Sequence, residues 1–322
     1  MRGEYKVSVR NKRNNYSFIL RRNITILRGE SGRGKSTLYD MIHEHNRYGK
    51  QSGVSISCDR ELIAIEGDRW EEDILDNPGK IVVIDEDNTF IRSREFARIA
   101  TSSDNYFLLI TRNYLQQLPI SVDEIYEFKG EKNKRFKNIY TGVERMYDNP
   151  LQKYLPFRPQ VIITEDAGAG YQFFKKIADR LSISCISAGG KSKIFSLVQQ
   201  YADKDVAIIA DGAAFGNEIA DIVKQQSLRP KKIAIYLPES FEWLILSSGV
   251  VKLEDDSLIQ QTWQYADSVG YASWEQYYSE LLTDITRDSD YLRYNKKKLS
   301  AYYNQERVEK DIIDSIKGID FN

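Results

Sequence analysis

The stretch Gly29-Glu30-Ser31-Gly32-Arg33-Gly34-Lys35-Ser36-Thr37 decides the fold of the first half of the chain. It fits G-x-x-x-x-G-K-[ST] from Gly29 to Ser36. Before it runs Ile24-Thr25-Ile26-Leu27, an apolar strand. After it, Ser36, Leu38 and Met41 fall at helical spacing. Strand, glycine loop and helix in that order give the pattern its physical meaning. Glycines let backbone N–H groups converge on phosphate oxygens, and the helix N-terminus adds positive potential. Gly29, Glu30, Ser31, Gly32, Arg33, Gly34, Lys35, Ser36 and Thr37 are thus expected to cradle ATP. Lys35 would reach the β- and γ-phosphates, and Ser36 would ligate Mg²⁺.

A second segment supports the reading. Ile81-Val82-Val83-Ile84-Asp85-Glu86 is an apolar strand ending in two carboxylates. A buried strand can deliver Asp85 to the Mg²⁺ shell, and Glu86 is placed to polarise an attacking water. Together the segments resemble the Walker A and Walker B motifs. The form G-x-S-G-x-G-K-S-T-L, Gly29 to Leu38, resembles the ATP-binding-cassette branch of P-loop ATPases. Only Tyr39 to Lys80 separates the two motifs, too short for that branch's signature-bearing insert, and no LSGGQ-like sequence is present. Where the branch carries a switch histidine, this chain has Leu109-Ile110-Thr111-Arg112. Arg112 reads either as a γ-phosphate sensor or as a surface residue. The expectation is ATP binding with slow or partner-dependent hydrolysis.

Downstream, strand and helix alternate: strands at Val161–Thr164, Ile183–Ser187, Val206–Ala210 and Lys232–Leu237, with helices at Gly170–Leu181, Lys191–Tyr201 and Glu218–Gln226. Such alternation predicts a mainly parallel sheet. Val161–Thr164 runs into Glu165-Asp166, and Ala207–Ala210 into Asp211. The fourth strand runs into Pro238-Glu239-Ser240-Phe241-Glu242. Glu165, Asp211 and Glu242 are therefore expected at one sheet edge, where oxygen ligands suit Mg²⁺ or Mn²⁺ and could clamp a phosphodiester.

At this point the pattern resembles the Toprim domain of topoisomerases, primases and nucleases. More closely, it resembles the overcoming-lysogenization-defect family, in which an ATP-binding-cassette-like ATPase is joined to a Toprim nuclease. The resemblance covers most of residues 20–300. It implies that Glu165 and Asp211 are catalytic metal ligands with Glu86 and Lys35 acting in the ATPase, that Ser240 and Glu242 match a Ser-x-Glu, and that a C-terminal lysine falls among Lys296, Lys297 and Lys298. It also implies action on nucleic acid, in defence against phage or mobile DNA. Ala213 stands where that family has the second aspartate of Asp-x-Asp, and Ala169 where it has a further acid. A two-metal site needs more carboxylates than remain, though Asp166 or Glu218 could stand in. Two readings stay open: a Toprim-like domain under ATPase control that binds or, weakly or with a partner, cleaves nucleic acid, and a non-catalytic nucleotide-dependent switch or scaffold that binds or sequesters a protein effector.

Composition bounds these readings. The 322 residues suffice for about two domains. With 41% hydrophobic residues and 46 Lys+Arg against 47 Asp+Glu, a packed core is expected and a uniformly basic nucleic-acid coat protein is excluded. No apolar run approaches the ~20 residues of a membrane span. Cys58 and Cys185 lie far apart, which suits a reducing cytoplasm. His43 and His45, two apart on a helix, do not share a face and make a poor metal site.

Residues 129–137 carry five Lys/Arg against one Glu, and Tyr147–Pro159 holds three prolines. Residues 130–159 are therefore read as a domain end and linker. The expected organisation is α/β: a P-loop ATPase domain over 1–145, a linker over 146–160, a Toprim-like parallel domain over 161–256 and a helical extension over 257–322. Basic clusters at Arg10, Lys12, Arg13, Arg21 and Arg22, and at Arg287, Arg293 and Lys296–Lys298 with Tyr291 and Tyr294, could contact phosphates and stack bases. The plainer reading of each is a solvated face. A protein partner or homo-oligomer is expected, and no membrane.

Overall fold

The structure is a computed structural model that describes residues 1–29, 34–130, 139–147 and 156–321. The chain divides into two units. Unit 1 is Met1–Met146 with Gln261–Ser273, and unit 2 is Tyr147–Gln260 with Trp274–Asn322. The residues expected as a separate helical extension, 257–322, are thus shared between the units. In them, helix alternates with loops held by local turns.

Unit 1 contains β1 (Tyr5–Arg10), β2 (Asn14–Leu20), β3 (Ile24–Arg28), α1 (Lys35–Tyr48), β4 (Ser55–Ser57), β5 (Leu62–Ala64), α2 (Trp70–Leu75), β6 (Ile81–Asp85), α3 (Arg94–Ala100), β7 (Tyr106–Ile110), β8 (Ile125–Gly130) and β9 (Ile139–Arg145). They form one sheet in the order β4-β1-β2-β9-β8-β3-β7-β6-β5. Its middle, β8-β3-β7-β6-β5, is parallel throughout. Every residue of β3, β6 and β7 is buried, as expected of parallel strands covered on both faces. The strand β7 lies between β3 and β6, so their tips share one sheet edge.

The sheet cannot be flat. Nine strands at ordinary spacing span roughly 38 Å, yet four residues join the two end strands, β4 and β5. Such a link reaches about 18 Å at full extension. The sheet therefore curls, and α1 sits in the concavity with Leu38, Met41 and Ile42 buried and with contacts to β1, β4, β5 and β6. Asn46 of α1 closes the free edge of β5. Its Nδ2 donates to Leu62 O at 2.8 Å and its Oδ1 accepts from Ala64 N at 2.9 Å, as a neighbouring strand would.

Lys6–Val9, Ser17–Leu20, Gly53–Ser57 and Tyr106–Thr111 also read as strands in the sequence and fall at β1, β2, β4 and β7, but three strands of unit 1 lie outside that reading. The strand β5 is only three residues long, and β8 mixes apolar residues with Glu127 and Lys129. The strand β9 lies inside the stretch read as domain end and linker, paired parallel to β2 and antiparallel to β8. A basic composition marked that stretch as a seam, but backbone pairing does not depend on side-chain charge. Residues 131–138 of the basic run and 148–155 of the proline-bearing segment lie outside the described residues.

Unit 2 contains β10 (Val161–Thr164), α4 (Ala169–Arg180), β11 (Ser184–Ser187), α5 (Ile194–Gln200), β12 (Val206–Ile209), α6 (Ile219–Leu228), β13 (Ile233–Tyr236), α7 (Phe241–Ser247), α8 (Ser257–Gln260), α9 (Trp274–Thr286) and α10 (Glu306–Asp314). Its sheet, β11-β10-β12-β13, is wholly parallel, with Thr164 opposite Ile209 and Ile209 opposite Tyr236. The C-terminal ends of β10, β12 and β13 are therefore level. Phe173 and Phe174 of α4 pack on Phe241 of α7, just beyond that edge. Both units are mixed α/β structures with mainly parallel sheets. No helix among the described residues is long and apolar enough to cross a membrane.

Candidate functional site

At the edge of unit 1, β3 ends on Arg28 and Gly29 begins the loop with φ +136°. Gly34 caps α1 with φ +89°, a conformation costly for any residue with a Cβ. A Cβ on Gly34 would also lie 2.9 Å from the Tyr16 hydroxyl. That hydroxyl donates to Gly34 O at 2.9 Å and also bonds the Thr37 side chain. Tyr16 is fully buried on β2, and burial pushes its phenol up to about 12. Lys35 is buried and folds back across the loop, its Nζ donating to Gly29 O at 2.7 Å. Ser36 is exposed and Thr37 half-buried at the start of α1. Glu30, Ser31, Gly32 and Arg33 lie outside the described residues.

The tip of β6 presents Asp85 and Glu86. Asp85 is buried, and burial raises its carboxyl above the usual range. One of its oxygens accepts from Glu86 N at 2.8 Å, and the other makes no hydrogen bond among the described residues. A buried carboxylate with an oxygen to spare, beside the hydroxyl-bearing start of α1, suits a hard divalent cation. Glu86 is clamped by Arg112 at the tip of β7. Arg112 Nη2 donates to Oε1 at 2.7 Å, and the Arg112 backbone N–H donates to Oε2 at 3.1 Å. The Arg112 hydrogen bond holds the Glu86 carboxyl below its ordinary value, and Lys35 adds to this through space. Arg112 is 53% exposed and pairs with the expected water-polarising carboxylate. The buried Arg28 guanidinium at the end of β3 lies over the Tyr114 ring at 4.9 Å.

In unit 2, Glu165 follows β10 and Asp211 follows β12. Glu165 Oε2 accepts from Asp211 N at 3.3 Å, and Asp211 Oδ1 accepts from Phe241 N at 3.2 Å. Both line one narrow cleft with Asp166, Gly170 and Phe241. Burial pushes Glu165 up to about 7. Burial also raises Asp211 well above the carboxylate range, and the negative charges of Glu275, Glu242, Glu165 and Asp166 raise it further.

Glu242 lies deeper, on α7, whose N-terminus the buried Ser240 hydroxyl caps by accepting from Trp243 N at 3.1 Å. Its Oε1 accepts from the Tyr294 hydroxyl at 2.8 Å and lies 4.0 Å from Lys296 Nζ. Lys296 Nζ is 2.6 Å from Glu275 Oε1. Of the three candidate lysines, Lys296 is the one at this cluster.

Three sequence expectations need revising here. Among the described residues, no group of three or more His, Cys, Asp or Glu is placed to hold a metal ion, so Glu165, Asp211 and Glu242 do not converge as a ligand set. The reason is local: Tyr294 and Lys296 engage Glu242, while backbone N–H groups engage the other two. Glu218, a candidate stand-in, is 4.0 Å from Lys191 and does not line the cleft. Tyr294 is buried on Glu242 and is not available to stack a base. Nor are all the N-terminal cations free: Arg21 pairs with Glu4 at 2.7 Å, and the buried Arg22 lies 3.6 Å from Glu124. His43 stacks on Tyr39, whereas His45 bonds Val54 O.

Tyr16 and Glu275 are site residues that the sequence reading missed, and Tyr294 is one to which it gave another role. Nothing in their local sequence marks them, because each meets its partner far along the chain. No protein-family model and no curated protein matches the chain.

Proposed function

We propose that unit 1 is a P-loop nucleotide-binding unit that takes ATP with Mg²⁺ and turns it over slowly. We further propose that unit 2 is a Toprim-like module governed by nucleotide state, which binds nucleic acid rather than cutting it. The observation that carries the first part is Lys35. Its ammonium is held across a loop bounded by two positive-φ glycines, at the same sheet edge as Asp85 and Glu86.

A lysine on a neutral backbone carbonyl can exchange that partner for phosphate oxygens, which are stronger acceptors. Ser36 and Asp85 would hold the Mg²⁺, which when bound neutralises charge on the β- and γ-phosphates. Glu86 would accept a proton from, or orient, the attacking water. Its pairing with Arg112 opposes this and makes the resting state slow. The Arg112 guanidinium has to give up at least one oxygen of Glu86 before that carboxylate can face a water.

For unit 2, binding is favoured over cleavage by its depleted acids. Ala169 and Ala213 are both buried, and Glu242 is engaged by Tyr294 and Lys296. Arg293, Lys297 and Lys298 are exposed near that edge and suit phosphate contacts.

Two measurements test the reading. Lys35→Ala should lose ATP binding by at least about 100-fold in a fluorescent-nucleotide titration, since it removes a charge-assisted phosphate contact. Unchanged affinity would sink the cradle assignment. Incubation with plasmid and single-stranded DNA in Mg²⁺ or Mn²⁺, with and without ATP, should show retardation on a gel without cleavage. Cleavage lost in Asp211→Ala would replace the binding role with a nuclease.

A further inference from the structure

We propose that Lys296 serves as the built-in cation of unit 2: its ammonium takes the place that a divalent metal ion would hold among the strand-end carboxylates, and the unit works without bound metal. The inference concerns unit 2 alone. It rests on neither nucleotide binding nor nucleic-acid binding.

The need for a cation follows from the topology. Parallel strands ending level bring Glu165, Asp166 and Asp211 to one edge, and α7 and α9 add Glu242 and Glu275. Every charge that acts on Asp211 most strongly is another carboxylate. Like charges in a partly desolvated site oppose folding, so such a cluster favours a positive charge beside it. A metal ion is one solution and a lysine is another.

The position of Lys296 is fixed from both ends. Its carbonyl accepts from Ala169 N at 2.8 Å, which ties its backbone to the loop after β10. Gly168 permits that approach, since a Cβ there would lie 2.5 Å from the same carbonyl oxygen. Its Nζ then falls 2.6 Å from Glu275 and 4.0 Å from Glu242. Burial alone would lower this lysine, yet Glu242, Glu275 and Asp211 outweigh it and hold the ammonium charged.

The same contacts engage one oxygen of each of three carboxylates that a metal would need. Mg²⁺ asks for six oxygens near 2.1 Å in octahedral array. Glu242 Oε1 already faces both the Tyr294 hydroxyl and Lys296 Nζ. Asp211 Oδ1 and Glu165 Oε2 each accept a backbone N–H. Ala169 and Ala213, buried to 1% exposure, add methyl groups and no donors.

The test uses the full chain without nucleotide and Mn²⁺ as the probe, followed by electron paramagnetic resonance. Wild type and Asp211→Asn should give the same Mn²⁺ isotherm, because no ion binds at the cluster. A wild-type site that disappears in Asp211→Asn would overturn the proposal, and this comparison needs no lysine variant. Lys296→Met, neutral and similar in length, should gain a Mn²⁺ site at least about tenfold tighter than anything in wild type. That site should vanish when Asp211→Asn is added, while Lys296→Arg should behave as wild type. A folded Lys296→Met with no new site would equally overturn it. Failure of ATP binding or of DNA retardation would leave these outcomes untouched, so the two readings fail separately.

Discussion

Two lysines divide the molecule. Lys35 of unit 1 is buried, and its Nζ donates to the neutral carbonyl of Gly29. Lys296 of unit 2 is half-exposed, and its Nζ sits on the carboxylate of Glu275 with Glu242 beyond. Both bonds are charge-assisted by the ammonium, but only at Lys296 is the acceptor charged as well. A phosphate can compete with the Gly29 carbonyl for the Lys35 ammonium, whereas at Lys296 a ligand would have to displace carboxylates. Strand-end position brought functional side chains to the edge in both units. What differs is the acceptor each ammonium faces, a backbone carbonyl at Lys35 and carboxylates at Lys296.

The largest effect that would break this comparison is on turnover in unit 1. Glu86→Gln should keep ATP binding and lose hydrolysis by about 100- to 10,000-fold, the range for removing a positioned general base. Steady-state phosphate release alongside a nucleotide-binding isotherm separates the two. If turnover persists, Glu86 is only Arg112's structural partner, and unit 1 would then resemble unit 2 in having its edge charges cancelled.

Next comes a pH effect at a carboxylate that no ligand is expected to touch. Glu124, fully buried in unit 1, is pushed up to about 7 by burial, although Arg22 and the Thr25 hydroxyl pull it down. A carboxyl raised in the folded state binds more protons there than when unfolded. Stability of unit 1 should therefore fall as pH rises from the ordinary glutamate value through about 7, by up to about 3 kcal/mol, and level off above. Glu124→Gln should flatten that slope in urea melts between pH 4.5 and 8. An unchanged slope would mean that Arg22 keeps Glu124 ionised throughout.

A third, slightly smaller effect is linkage. ATP with Mg²⁺ at about 100 times its dissociation constant should stabilise what it binds by about 2.7 kcal/mol. Hydrogen exchange should slow in β3, α1 and β6. Mg²⁺ or Mn²⁺ alone should leave exchange in β10, β12 and α7 unchanged, because Lys296 already neutralises that edge. Protection of those strands by metal would erase the contrast between the lysines.

The sequence makes some of this legible, and contact distance along the chain explains where it stops. The strands β3, β6 and β7 are uninterrupted apolar runs, and β10, β12 and β13 alternate with helices of regular spacing. Local pattern therefore locates them, and with them Asp85, Glu86, Glu165 and Asp211 at strand ends and Lys35 at the start of α1. The strand β9 is half polar and follows a basic run, so composition masks it; only its pairing with β2 and β8 makes it a strand. Glu275 acquires meaning through Lys296, 21 residues on, and Tyr294 through Glu242, 52 residues back. Positional resemblance placed Glu242 among metal ligands, but what a carboxylate does depends on which hydroxyl or ammonium reaches it first.

The smallest effect concerns Tyr16, which joins the curl of the sheet to the glycine loop. Its hydroxyl on Gly34 O is the contact that a Cβ at Gly34 would invade, so one atom sets both the spacing of β2 from α1 and the backbone turn at Gly34 that opens the helix. Tyr16→Phe keeps the ring packed against Phe128, 5.2 Å away, and removes only the hydroxyl. Folding stability should drop by about 1 kcal/mol, the usual worth of one hydrogen bond. If the bond also holds the loop in its phosphate-ready shape, ATP affinity should weaken by about fivefold, the same energy read at the ligand. Equal losses in chemical melts and nucleotide titrations would show that unit 1 keeps its loop ordered before ATP arrives. A loss of stability with unchanged affinity would mean that the loop takes its shape from the nucleotide. In that case the poise assigned to Lys35 would belong to the bound state alone.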